Sequence, residues 1–170
     1  MKKNSIRSLA VSAIIAALYA VLTIVLAPIS YGALQFRVSE ALCIFPYLLP
    51  YTSWGLFVGC IIANLMTGNV FDIVFGSLAT LLAALCTAAI GKKNDTLKNR
   101  LFACLMPVLF NAVIVSAVIV LAYNGTANLG AYLLCFVQIA VGEAGVLYLL
   151  GLPLIKFIGK SKVIEKYNLQ

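Results

Sequence analysis

Histidine is absent from the 170-residue sequence, and charge is scarce: five acids and twelve bases, 10% of the chain. A soluble domain carries about 25% charged residues, so the shortage points to a membrane. Without histidine the commonest general base is missing, and no serine or cysteine stands in a nucleophile–base arrangement. An enzyme is therefore not expected, and no catalytic residue or cofactor is assigned. The five cysteines (Cys43, Cys60, Cys86, Cys104 and Cys135) stand singly in apolar runs, with no C-x-x-C. That excludes the usual metal or disulfide frameworks, and we read them as packing residues. A motor is missing too. "GKKNDT" at 91–96 lacks the G-x-x-x-x-G-K-[ST] pattern of a phosphate loop, and no inverted internal repeat of the secondary-transporter kind is visible. If this chain transports, partners supply the power.

What is present is apolar. Hydrophobic residues make up 64% of the sequence, and the mean hydropathy is +1.08. Four runs, Ile6–Ala27, Val70–Gly91, Leu101–Tyr123 and Leu129–Ile158, reach the roughly 20 residues that cross a bilayer as helix. A fifth region, Val38–Gly68, is broken by Pro46, Pro50 and Gly55 and reads as two short helices, Val38–Tyr51 and Trp54–Thr67. The expectation is a single all-α domain over residues 1–170 with six transmembrane helices. The start, "MKKNSIR" followed by apolar residues to "VLAP", imitates a signal peptide. Its apolar stretch exceeds the roughly 7–15 residues of a signal h-region, and Pro28 makes a poor cleavage context, so we read it as the first span.

The net charge of +7 does not point to nucleic acid, because of where the bases lie. Lys2, Lys3 and Arg7 precede the first span; Lys92, Lys93, Lys98 and Arg100 fill one loop; Lys156, Lys160, Lys162 and Lys166 follow the last span. With both termini cytoplasmic, all of these share one side, as the positive-inside rule requires, and Arg37 alone is on the other. Four spans with Val38–Thr67 as a re-entrant hairpin satisfy the rule equally well. Charge does not choose between them.

The polar residues inside this apolar chain carry the functional question. Arg37 and Glu40 lie within "YGALQFRVSEAL", with Gln35 just before them; Glu40 opens the second helix and Asn64 closes the third. Asn69 and Asp72 lie in the turn "MTGNVFD". Gln138 and Glu143 fall roughly 10 and 18 Å along the last helix from Ala131, and Asn111 roughly 16 Å along the fifth from Arg100. Placed by depth, they converge on the outer half of the membrane, as one pocket open to the outside would require.

Structural alternatives stand beside each. Arg37 and Glu40 are spaced to pair on one helix face; Asn69 and Asp72 suit a helix N-terminus. Asn111 follows Pro107 by four residues and could repair a kink, and Gln138 could link two helices. Glu143 is the hardest to dismiss, since an intramembrane acid is a functional hypothesis by default. On the first helix Ala13/Ala17 and Ala16/Ala20 form overlapping small-x-x-x-small pairs that permit close helix approach, inside the chain or to a partner.

The linked stretches "YGALQFRVSEAL" and "GLFVGCIIANLMTGNVFDIVFGSLATLLAA", with "GEAGVLYLLGLPL" near the end, resemble the QueT family of queuosine-precursor substrate-binding subunits of energy-coupling-factor (ECF) transporters. The resemblance implies six helices in the cell membrane, and a complex with one transmembrane coupling protein and two ATPase subunits. It also implies a 7-deazaguanine-type small molecule taken from outside, with Ala13 and Ala17 docking on the coupling protein. A deazaguanine edge offers N1–H and an amine to a carboxylate, so Glu143 or Glu40 is expected to read it. Arg37 or Gln138 is expected at O6, Asp72 at a substrate amine, and Tyr31, Phe36 or Phe71 stacked on the ring. The rival readings are an ion-coupled carrier working alone, with Glu143 and Asp72 as proton sites, and a non-transporting assembly subunit.

Overall fold

A computed structural model of the chain describes residues 3–31, 36–124 and 128–159. Among these residues every regular element is helical. Helix α1 is Lys3–Val25, followed by a single turn at Ala27–Ser30. Then come α2 (Val38–Leu48), α3 (Thr52–Leu65), α4 (Asp72–Gly91), α5 (Leu97–Asn124) and α6 (Leu129–Gly159). Four of the six, α1, α4, α5 and α6, are long and apolar enough to cross a membrane. Their outward faces carry large apolar residues such as Leu9, Val74, Leu109, Val137 and Leu149, as lipid-facing surface demands.

Helix α2 departs from the regular helix that its composition suggests. Residues Val38–Ile44 wind as a tighter 3₁₀ helix before one α turn at Phe45–Leu48. Pro46 has no N–H to offer Leu42; Phe45 N–H takes that carbonyl instead, three residues back. Wide π turns open α4 at Asp72–Gly76 and interrupt α6 at Leu147–Gly151. The second stands just ahead of Pro153, where the ordinary ladder would lose a bond in any case.

Contacts fix the directions. Helix α3 runs parallel to α1, with Gly55 against the Ser12 carbonyl and Gly59 against Ala16. A Cβ at either glycine would lie 2.3 Å from Ser12 O or 2.6 Å from Ala16 O. This G-x-x-x-G face lets two backbones meet, and it assigns the alanine pairs. Ala16 and Ala20 are buried, whereas Ala13 and Ala17 are exposed. Helix α2 runs back in the opposite direction, parallel to α6, with Phe36 near Gly145, Ala41 near Gly151 and Leu48 near Gly159.

Proline also explains a hydrogen bond deep in the bundle. Pro107 interrupts α5, so the Ala103 carbonyl four residues earlier has no intrahelical N–H. Thr87 Oγ1 on α4 donates to it at 3.2 Å. Kink repair thus comes from a neighbouring helix, and Asn111, the residue with the apparent spacing for it, is engaged elsewhere.

Candidate functional site

Two buried polar groups share the interior near the end of the bundle away from the lysine-rich 92–98 loop. The first surrounds Glu40, fully buried at the start of α2. Tyr19 of α1 donates its hydroxyl to Oε1, and Cys43 Sγ donates to Oε2 at 2.9 Å. The Thr23 and Ser39 hydroxyls bond at 2.6 Å one turn away. Both oxygens of Glu40 are therefore occupied by the chain itself. The spacing that suggested an Arg37–Glu40 pair is not used as one: the ion pair among the described residues is Arg100–Asp95.

Arg37 instead reaches α3. Its Nη2 donates to Asn64 Oδ1 at 2.5 Å. Asn64 Nδ2 donates to the Asp72 carbonyl at 2.9 Å, with Cys60 Sγ at 3.4 Å. Asn64 thus ties the guanidinium to the π turn that opens α4. The guanidinium also lies 5.6 Å from the centre of the Tyr31 ring, close enough for a cation–π contact, and Tyr31 OH donates to the Ala63 carbonyl at 2.8 Å. Tyr31, Arg37, Asn64, Thr67, Asp72, Gly76 and Val115 line a cleft of about 20 Å³, room for a water. Ligand pockets are roughly 300–1,000 Å³, so admitting a ring system requires these segments to part.

The second group pairs Glu143 of α6 with Asn111 of α5, each 1% exposed. Asn111 Nδ2 donates to Glu143 Oε1 at 3.0 Å. Asn111 lies one turn from Val115, which lines the cleft together with Arg37. Four side-chain atoms are buried without a hydrogen-bond partner among the described residues: Ser30 Oγ, Arg37 Nε, Asn111 Oδ1 and Glu143 Oε2. Such an atom costs about 1–3 kcal/mol, more when charged. Three of the four, on Arg37, Asn111 and Glu143, make this interior a candidate site for a polar ligand.

Other expected site residues lie differently. Gln138 is half-buried, about 7.5 Å along α6 from Glu143. Asn69 Oδ1 accepts from Phe71 N–H at 2.9 Å, the bond of an N-cap. Asp72 is half-buried at the cleft. Phe71 is exposed and stacks on Phe75. Gln35 lies outside the described residues.

The cysteines need correcting. All five are free thiols, but Cys43 and Cys60 are members of the polar network rather than packing alone: Thr80 Oγ1 and Tyr19 OH reach Cys60 Sγ at 3.3 and 3.6 Å. Tyr19 was not foreseen either. Its signal was a tyrosine in mid-span, whose hydroxyl needs a partner when buried.

Comparison with known proteins agrees with the resemblance. A family model described as QueT transporter matches residues 9–160. A queuosine precursor transporter QueT from Lactococcus lactis subsp. cremoris (strain MG1363) is 38% identical over 84 residues, covering 48% of this chain and 50% of that protein. The similarity thus spans about half the length of that relative. No solved structure matches the chain significantly. With the family match covering nearly the whole of an all-helical chain that has four membrane-length apolar helices, the protein belongs to the QueT transporter family.

Proposed function

We propose that the chain is the substrate-binding subunit of an ECF transporter in the cell membrane, taking a queuosine precursor of the 7-deazaguanine type from outside. All six helices cross the bilayer in this reading, with both termini cytoplasmic. A transmembrane coupling protein and two ATPase subunits drive import, and no metal or cofactor takes part. Arg37, Asn64, Asp72, Asn111 and Glu143 form the substrate site, Glu40 supports it through its bonds within the chain, Gln35, Asn69 and Gln138 flank it, and Ala13 and Ala17 dock on the coupling protein.

The observation that carries this reading is the set of unsatisfied polar atoms on Arg37, Asn111 and Glu143 inside an apolar bundle. Family membership and the name of the relative supply the substrate class. The end of α2 reaches the end of α4, with the Tyr47 carbonyl against Gly91, a depth that favours crossing helices over a shallow hairpin. The exposure of Ala13 and Ala17, against burial of Ala16 and Ala20, leaves the first pair free for a partner.

Titration calorimetry of the purified chain against 7-deazaguanine precursors and unrelated vitamins tests binding, with saturable binding expected for the deazaguanines alone. Proteoliposome uptake tests coupling: accumulation requires the coupling protein, the ATPases and ATP. Accumulation by this chain alone on an ion gradient would replace the reading with an ion-coupled carrier. No saturable binding at all would reduce it to an assembly subunit.

A further inference from the structure

Resting on the substrate class just proposed, we infer that Glu143, Asn111 and Arg37 together read the hydrogen-bonding edge of a guanine-type base, and that Glu40 does not touch the ligand. Besides the Ser30 hydroxyl, which can donate or accept, the unsatisfied buried atoms among the described residues are two acceptors, Glu143 Oε2 and Asn111 Oδ1, and one donor, Arg37 Nε. A ligand satisfying all three presents two donors and one acceptor. Among base edges that pattern is guanine's: the 2-amino group and N1–H donate, and O6 accepts. An adenine edge offers one donor and one acceptor, a cytosine edge two acceptors and one donor, and a uracil edge one donor between two acceptors. A hypoxanthine edge lacks the second donor. Each of these leaves a buried atom of the trio unmatched, at the cost of its desolvation.

The internal bonds hold the three atoms ready. Asn111 Nδ2 donates to Glu143 Oε1 at 3.0 Å, which holds the two side chains together and leaves Oδ1 and Oε2 without a partner among the described residues. Arg37 is fixed through Nη2 by Asn64 at 2.5 Å, and Asn64 by the Asp72 carbonyl. Glu40 differs in kind. Its oxygens already accept from Tyr19 and Cys43, which makes it a positioning residue that ties α2 to α1.

The test compares 7-deazaguanine with 7-deazahypoxanthine, which lacks only the 2-amino group, by titration calorimetry on the purified full chain. The wild type is expected to bind the 2-amino compound about 10- to 100-fold more tightly, the worth of one hydrogen bond to a charged acceptor. In E143Q and N111L that preference is expected to shrink to within about threefold, while E40Q retains it. Equal binding of the two compounds by the wild type overturns the inference without any variant being needed, and leaves the substrate class standing. So does a preference that survives in E143Q and N111L, or is lost in E40Q with melting temperature unchanged. Failure of the wild type to bind 7-deazaguanine overturns the substrate class, and this inference with it.

Discussion

The Thr87–Pro107 relation gives the sharpest test of the packing argument, because one partner is a missing atom. Pro107 supplies no N–H to the buried Ala103 carbonyl, and Thr87 Oγ1 replaces that bond from α4 at 3.2 Å. Thr87→Val keeps the shape and removes the donor. Interhelical hydrogen bonds in membrane proteins average about 0.6 kcal/mol in double-mutant cycles and reach about 1.7. Because this bond is buried and its acceptor has lost its own helical donor, T87V is expected near the upper value. In a P107A background the restored N–H at 107 satisfies the carbonyl, so T87V there should cost close to nothing. The coupling in the cycle should therefore be about 1–1.5 kcal/mol, which corresponds to roughly 2–6 °C in melting temperature for a chain of this size. Thermal unfolding of the four proteins in one detergent measures it. Equal cost of T87V in both backgrounds would refute the idea that Thr87 stands in for the missing amide.

Gly55→Ala and Gly59→Ala should each lower stability by at least about 1–3 kcal/mol, since their Cβ atoms would press on backbone carbonyls at 2.3 and 2.6 Å; unfolding in detergent reads this, with no change as the refuting result. Tyr19→Phe removes a donor from the buried Glu40 carboxylate and should cost about 1.5–3 kcal/mol by the same assay. Leucine at Ala13 and Ala17 should leave melting unchanged and abolish co-purification with the coupling protein, whereas leucine at the buried Ala16 should unfold α1 from α3. In the 92–96 loop, hydrogen bonds from Arg100 hold Asp95 below the ordinary carboxylate range, helped by Tyr47 against a smaller burial effect. Its folded pKa being depressed, the stabilisation is complete above the unfolded value and is lost as pH falls through the folded one. Asp95 is more than half exposed, so the effect should stay below about 1 kcal/mol, and the stability gap between wild type and Asp95→Asn should close below about pH 4.

The helices were legible because hydrocarbon length is written directly in the runs: α1, α4, α5 and α6 all begin and end within a few residues of the apolar stretches. The turn after α3 was also legible, with Gly68 at φ 65° and Asn69 capping behind it. What sequence spacing did not disclose was partnership. The i, i+3 spacing of Arg37 and Glu40 suggested an ion pair on an α-helical face, but Val38–Ile44 is a 3₁₀ helix and each residue bonds to a different neighbouring helix. The two alanine registers of α1 could not be separated until Gly55 and Gly59 were seen to occupy one of them. The glycine pair is in the sequence, but the helix it faces is a property of three dimensions. Asn111 illustrates the same limit, since its distance from Pro107 suggested repair while the bundle assigned that task to Thr87.

Two carboxylates that look alike in the sequence therefore play opposite parts. An acid in an apolar interior is tolerated in proportion to the donors that surround it, because desolvation is offset only by bonds that replace water. Glu40 meets that demand within the chain, with a tyrosine hydroxyl on one oxygen and a thiol on the other. Its replacement should show first as lost stability. Glu143 has one oxygen held by Asn111 and one unmatched, beside a second unmatched acceptor and a guanidinium with a spare donor. Completing that set from outside is worth more free energy than completing any set already filled, so the selectivity of the bundle for its ligand concentrates where its own hydrogen bonding stops short.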